Sequence, residues 1–272
     1  MKTKPLISWP GGKSRLLTHI LPHIPAATGY IEVFAGGLAV LLGKPPSKLE
    51  VINDINGDIV TLYRVAKHHP DALMRELELM PASRQYLADC VALLATGGLT
   101  DIQRAAMFLH ANKTSFSANG ESFAVAKQPD TRPFSNREAL MARISAFAKR
   151  MAQVAIENVD YRRLLKTYYH PGNLFFMDPP YLGATTKIYR GWTEFEMAQF
   201  HAAVVALKGA WIVTVDSSDL NRRLWKGHDC KFLVTRNGCG NQGTKPGRTF
   251  GEMVIYSPGL RSRGAAAIPK AA

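Results

Sequence analysis

Cysteine is scarce in this chain, with three in 272 residues: Cys90, Cys230 and Cys239. An odd count without framework spacing excludes a disulfide-stapled secreted fold and points to a reducing compartment. His228 stands near Cys230 and Cys239 in sequence, yet no CxxC or HxxxH pair accompanies them, so no metal site is expected. Also missing is any apolar window of membrane-span length, or an N-terminal apolar stretch of signal-peptide type. The expected location is therefore the cytoplasm, away from any membrane. Low-complexity sequence is confined to the end, where residues 261–272 read as a flexible tail. Acidic residues are the most telling shortage. Asp and Glu total 21 against 34 Lys and Arg, a formal charge of +13, and such a positive potential attracts polyanions. Nucleic acid is the first partner this suggests, although membrane-surface binders and basic secreted proteins share the bias.

What the chain has in quantity is core material. Hydrophobic residues make up 46% and charged residues 20%, enough for a sizeable core with an inserted lobe. Four short runs, Tyr30–Phe34, Glu50–Asn53, Asn173–Met177 and Ala210–Val215, are apolar enough to be buried on both faces, as parallel strands under helices must be. Helical patterns over Ser14–Leu21, Leu38–Leu42 and Glu194–Leu207 supply the covers. From about Asp58 to Asp160 the periodicity is mostly helical, with Leu140, Ile144, Phe147 and Met151 on one face and no convincing buried strand. Inside that stretch Asn119-Gly120 can close a hairpin between Thr114 and Val125. Lys231–Val234 and Glu252–Tyr256 read as an antiparallel pair joined by a Gly-rich loop that carries Lys245 and Arg248. The expected fold is α/β: a mostly parallel sheet with an antiparallel last strand and an inserted, mainly helical domain. Expected boundaries are 1–60 and 158–260 for the two parts of the sheet domain and 61–157 for the insertion.

Three segments carry chemistry. Asp178-Pro179-Pro180-Tyr181 directly follows the run Asn173–Met177, and ligands of open α/β sheets gather beyond the carboxyl ends of strands. An exocyclic amine on an aromatic ring is a poor nucleophile until its nitrogen pyramidalises. Two acceptors aimed at its hydrogens, the Asp178 carboxylate and the Pro179 carbonyl, favour that geometry. The prolines stiffen the loop, and Tyr181 offers a face on which an extruded base can stack. Asp-Pro also ends strands in ordinary turns. The second segment, Tyr30–Phe34 followed by Ala35-Gly36-Gly37, is a strand entering a bare turn. It lacks GxGxxG and so suits a cofactor with adenosine but no pyrophosphate. Asp54, ending the next run, is placed to accept from ribose hydroxyls; Asp54 or Asn53 reads equally well as a helix N-cap. The third segment is Trp9-Pro10-Gly11-Gly12-Lys13-Ser14. It is not a phosphate loop, because Ile7 stands where that motif needs glycine. Lys13 offers a charge for a carboxylate and Trp9 a surface for a sulfonium or a purine, while a helix start with a structural tryptophan accounts for the same residues.

These segments, in this order, resemble the D12 class of adenine-specific DNA methyltransferases, the Dam-like family, and the likeness runs from Leu6 to Tyr256. Their order is that of the α group. The resemblance implies a Rossmann-like methyltransferase sheet with an inserted target-recognition domain. It implies S-adenosylmethionine as methyl donor, held by Trp9, Gly12, Lys13, Phe34, Gly36, Gly37, Asp54 and Asp178, with catalysis at Asp178, Pro179, Pro180 and Tyr181. The implied substrate is adenine N6 in double-stranded DNA, reached by base flipping at a site that GATC-like specificity would suit. In the recognition segment the family pattern is altered, to Asn112-Lys113-Thr114-Ser115-Phe116. There Phe116 is a candidate wedge, and Lys113, Asn119, Lys127 and Arg137, with Lys245 and Arg248, are candidate DNA contacts. The basic helix with Arg137, Arg143, Lys149 and Arg150 reads equally as a backbone tracker or a solvated surface. No metal is expected, since methyl transfer from a sulfonium needs alignment more than electrophilic help. A monomer or weak dimer on DNA is expected. Rival expectations are another planar nitrogen (cytosine N4, RNA adenine or a protein amide) and a catalytically silent DNA binder.

Overall fold

The computed structural model describes residues 3–25, 27, 29–115, 122–124, 136–182, 192–236 and 249–260. The chain is α/β, with seven strands among those residues: β1 (Gly29–Glu32), β2 (Leu49–Asn53), β3 (Val154–Glu157), β4 (Asn173–Met177), β5 (Ala210–Asp216), β6 (Asp229–Arg236) and β7 (Thr249–Tyr256). It forms two compact units, one of Met1–Leu17, Ala35–Pro46 and Asn53–Asn158, the other of Thr18–Phe34, Ser47–Ile52 and Val159–Ala272.

The second unit is built on a sheet ordered β2-β1-β4-β5-β7-β6. β2, β1, β4 and β5 run parallel, and β7 is antiparallel to both β5 and β6. Every residue of β1 and β4 is buried, which is why those runs carry no alternation. Register places Glu32 level with Phe176 and Met177 level with Val213, so the carboxyl ends of β1, β4 and β5 emerge together. Helices α8 (Tyr161–Thr167) and α9 (Glu194–Val205) bury Leu164, Leu165, Met197, Phe200 and Val204 in one cluster with Ile31, Phe175, Met177 and Val213. Both start on side-chain caps, Asp160 accepting from Arg162 N–H and Thr193 from Glu196 N–H, which satisfies first-turn donors.

The first unit is helical: α2 (Ala39–Gly43), α3 (Gly57–His68), α4 (Pro70–Leu79), α5 (Arg84–Thr96), α6 (Asp101–Thr114) and α7 (Arg137–Met151), after the short α1 (Leu17–Ile20). On α7, Leu140, Ile144, Phe147 and Met151 are all buried, as their spacing requires. Phe147 meets Tyr63 of α3 with ring centroids 5.3 Å apart. A capping box formed by Thr100 and Gln103 starts α6.

Two local expectations are corrected. Ser14–Leu21 is not one helix but a 3-10 turn, a four-residue α-helix (Leu17–Ile20) and a second 3-10 turn beginning at Leu21. Pro22, in that last turn, has no N–H to continue an α-helical ladder. The helical stretch also ends in a strand, β3, in which only Val154 is buried, so no apolar run announces it.

Candidate functional site

The bare turn after β1 belongs to the helical unit and is built on a strained backbone. Ala35 N–H donates to Asn53 O at 2.8 Å, and Leu38 N–H closes the turn on Ala35 O at 2.8 Å. Gly36 has φ +43° and Leu38 φ +58°, and a left-handed non-glycine costs about 1–2 kcal/mol. A Cβ on Gly36 would sit 2.8 Å from Trp9 Cδ1, while one on Gly37 would meet Trp9 Cβ at 3.5 Å, so the first glycine is the obligatory one. Asp54 braces the turn. Its Oδ2 accepts from Gly36 N–H and its Oδ1 from Asn56 N–H, each at 2.9 Å, and Tyr63 donates its hydroxyl to Gly36 O. Burial raises the Asp54 pKa above the usual carboxylate range, opposed by the N–H groups of Asn56, Gly36 and Ile55. The cap of α3 is Asn56, whose side chain accepts from Asp58 N–H, so the N-cap role left open for Asp54 and Asn53 goes elsewhere.

The N-terminal segment is part of the same unit. Gly12 N–H bonds Trp9 O at 3.0 Å. Lys13, 4% exposed, folds back to donate to Gly11 O at 2.6 Å. Trp9 packs near Phe108 of α6, with centroids 6.5 Å apart. One residue not assigned from sequence fastens this segment: Asn112, buried on α6, accepts from Ser8 N–H at 3.0 Å and donates to Ser8 O at 2.8 Å. Its two-way amide mimics a strand partner. The only signal in the sequence is an Asn inside a helix, a position that residue disfavours unless a partner rewards it.

In the sheet unit, Val33 N–H donates to Phe176 O at 3.0 Å, carrying the β1–β4 ladder past the strand's end. Phe34 joins Tyr161, Trp192 and Phe200 in a ring cluster with centroids 5.8–5.9 Å from its own. Asp178 begins where β4 stops; Pro179 is buried, and Asp178, Pro180 and Tyr181 are half-buried. Asp178 Oδ1 accepts from the Thr214 hydroxyl at 2.7 Å. Phe34 and the tetrapeptide thus leave adjacent parallel strands at the same edge of the sheet.

Of the candidate DNA contacts, Lys113 lies near the end of α6, half-buried. Burial, and then the charge of Arg143 on α7, push its pKa down to about 8. Arg137 donates to the carbonyls of Glu78 and Met80 at 2.5 and 3.1 Å, closing the C-terminal end of α4. Arg150 donates to Leu41 O at 2.9 Å. Ser115 and Phe123 form an antiparallel bridge, with Ala124 N–H on Thr114 O at 2.7 Å, as a hairpin between these segments would. Phe116, Asn119, Gly120, Lys127, Lys245, Arg248 and the tail 261–272 lie outside the described residues. Among the described residues no cluster of three His, Cys, Asp or Glu could hold a metal ion, and no helix is long and apolar enough to cross a membrane.

Comparison with known proteins gives a family match over most of the chain. Residues 9–232 match the family described as D12 class N6 adenine-specific DNA methyltransferase. The type II methyltransferase M.MjaIII of Methanocaldococcus jannaschii is 25% identical, over 94% of this chain and 100% of its own length. The type II methyltransferase M1.LlaDCHI of Lactococcus lactis is 26% identical, over 94% of this chain and 96% of its own. A retron Ec67 DNA adenine methylase of Escherichia coli is 24% identical, over 86% and 85% respectively.

Proposed function

Since the chain belongs to the D12 class of N6 adenine-specific DNA methyltransferases, we propose that it modifies adenines in duplex DNA one site at a time, with the target base turned out of the helix. The observation that carries this reading is the Asp178 carboxylate, fixed by Thr214 at the carboxyl edge of β4. In this role Asp178 and the Pro179 carbonyl accept the two N6 hydrogens and draw the nitrogen lone pair out of conjugation. Tyr181 stacks on the extruded purine and offsets part of its unstacking. The nitrogen pair then forms the new N–C bond, and one N6 proton passes to water past the half-buried Asp178 carboxylate.

The family uses S-adenosylmethionine, which when bound supplies a methyl group on a positively charged sulfur that keeps the bonding pair as the methyl departs. The residues present fit it. The turn is bare at Gly36, Asp54 retains acceptor capacity beyond the N–H groups of Gly36, Asn56 and Ile55 for a ribose hydroxyl, and Lys13 supplies a cation for a carboxylate. Trp9, Gly12, Phe34, Gly37 and Asp178 remain assigned to the cofactor by the family resemblance. Residues 1–60 and 158–260 form the catalytic domain in this reading, with 61–157 recognising the target. Lys113 meets DNA near the end of α6; Phe116, Asn119, Lys127, Arg137, Lys245 and Arg248 remain assigned to DNA. The names of the relatives favour a restriction-modification setting, and a GATC-like target is the specific expectation. Single-molecule sequencing of DNA from cells expressing the chain tests the modified base and its sequence context. N6-methyladenine in one recurrent sequence is the expected result, and methylation confined to cytosine would overturn the reading.

A further inference from the structure

The tetrapeptide's carboxylate is held from outside its own loop. β4 and β5 run parallel with Met177 level with Val213, so the next residues, Asp178 and Thr214, stand side by side. Thr214 is the one hydroxyl in the run Trp211-Ile-Val-Thr-Val215. It is 0% exposed, and a buried hydroxyl is costly without a partner. Its partner is Asp178 Oδ1 at 2.7 Å. The strand that presents it is clamped just beyond. Asn221 Nδ2 donates to Asp216 O and Oδ1 at 3.1 and 2.9 Å, Ser218 N–H to Asp216 Oδ2 at 3.1 Å, and Ser217 N–H to Gly251 O at 2.9 Å. A Cβ on Gly251 would lie 2.0 Å from Ser217 Oγ, so β7 packs closely against that exit and a side chain there would displace the Ser217 hydroxyl. Thr214 therefore offers its hydroxyl from a fixed point.

We infer that Thr214 is a positioning residue for methyl transfer, its hydroxyl setting the rotation of the Asp178 carboxylate toward the adenine amine. The inference rests on the role proposed for Asp178. A carboxylate's terminal torsion is broad, and one charge-assisted O–H···O bond narrows it. Orientation of that kind acts on the chemical step and leaves the affinity for DNA alone.

The test uses the full chain in steady-state methylation of a duplex, with thermal melting alongside. Thr214→Val keeps the shape and removes the donor. It is expected to lower kcat by about 10- to 100-fold while KM for DNA stays within about 2-fold. Thr214→Ser restores the donor and should recover kcat to within about 3-fold of the parent. A valine variant with parental kcat overturns the inference, as does a loss of kcat that the serine fails to rescue in a chain melting normally. If the valine variant does not fold, Thr214→Cys takes its place; its weaker donor should give an intermediate kcat, and a parental value counts against the inference. Asp178→Asn separates the two levels. An active Asp178→Asn enzyme sinks the proposed role of Asp178, whereas an inactive one beside a fully active Thr214→Val sinks only the inference about Thr214.

Discussion

The carboxyl edge of the sheet and the end of α6 treat charge in opposite ways. At the sheet edge each acid has donors built for it: Asp178 has the Thr214 hydroxyl, and Asp216 has Asn221 and the Ser218 N–H. At the end of α6, Lys113 is half-buried and its charged form is disfavoured by burial and by Arg143, with no acid within ion-pair distance among the described residues. In the catalytic role proposed for it the first arrangement is preorganised, and its groups need not move when a reacting atom arrives. The second holds positive charge that a polyanion would relieve, which is how phosphate binding gains strength. The two regions should therefore answer to different measurements, kcat for one and salt-dependent affinity for the other.

The sharpest way to break that division is Asp178→Ala. Turnover is expected to fall by about 1,000-fold or more with DNA affinity within about 3-fold of the parent, because the acceptor acts mainly in the transition state; stopped turnover assays and fluorescence anisotropy check the two halves. A smaller effect is expected at the turn that Asp54 braces. Gly36→Ala places a Cβ against Trp9 at φ +43°. It should cost about 1–3 kcal/mol of stability in denaturant melts and raise KM for S-adenosylmethionine about 10-fold. Lys113→Ala should weaken DNA binding on every sequence alike and reduce the salt slope by about 1. A loss confined to one base position would make Lys113 a base reader instead.

Smallest is a pH effect. With the Lys113 pKa down at about 8, the free protein loses that charge as pH rises past it, and a nearby phosphate favours its return. DNA affinity should decline between about pH 7.5 and 9, by at most about tenfold per unit, and Lys113→Arg should flatten the decline. The folding sign is the reverse. Between about 8 and the ordinary 10.5 the unfolded chain keeps a proton that the folded chain has released, so this residue's contribution to stability rises with pH across that window.

Legibility from sequence followed burial. β4 was readable to the residue because all five of its side chains are buried, leaving an uninterrupted apolar run. β3 was not, since it buries Val154 alone. The tetrapeptide is visible as a candidate because an acid and two prolines directly follow an apolar run. Thr214 and Asn112 could not, because each acts through a partner distant in sequence, at separations of 36 and 104 residues. No local pattern encodes such pairs. The glycine turn was legible as a bare backbone, but Trp9 as the neighbour that forbids a side chain at Gly36 appears only once the chain is folded.

The most direct measurement incubates the purified chain with duplex DNA and S-adenosylmethionine tritiated on the methyl group, digests the DNA to nucleosides and separates them. The account predicts label in N6-methyladenine and nowhere else, abolished by Asp178→Ala. Label in N4-methylcytosine, or no incorporation from a folded chain that binds DNA, would contradict it.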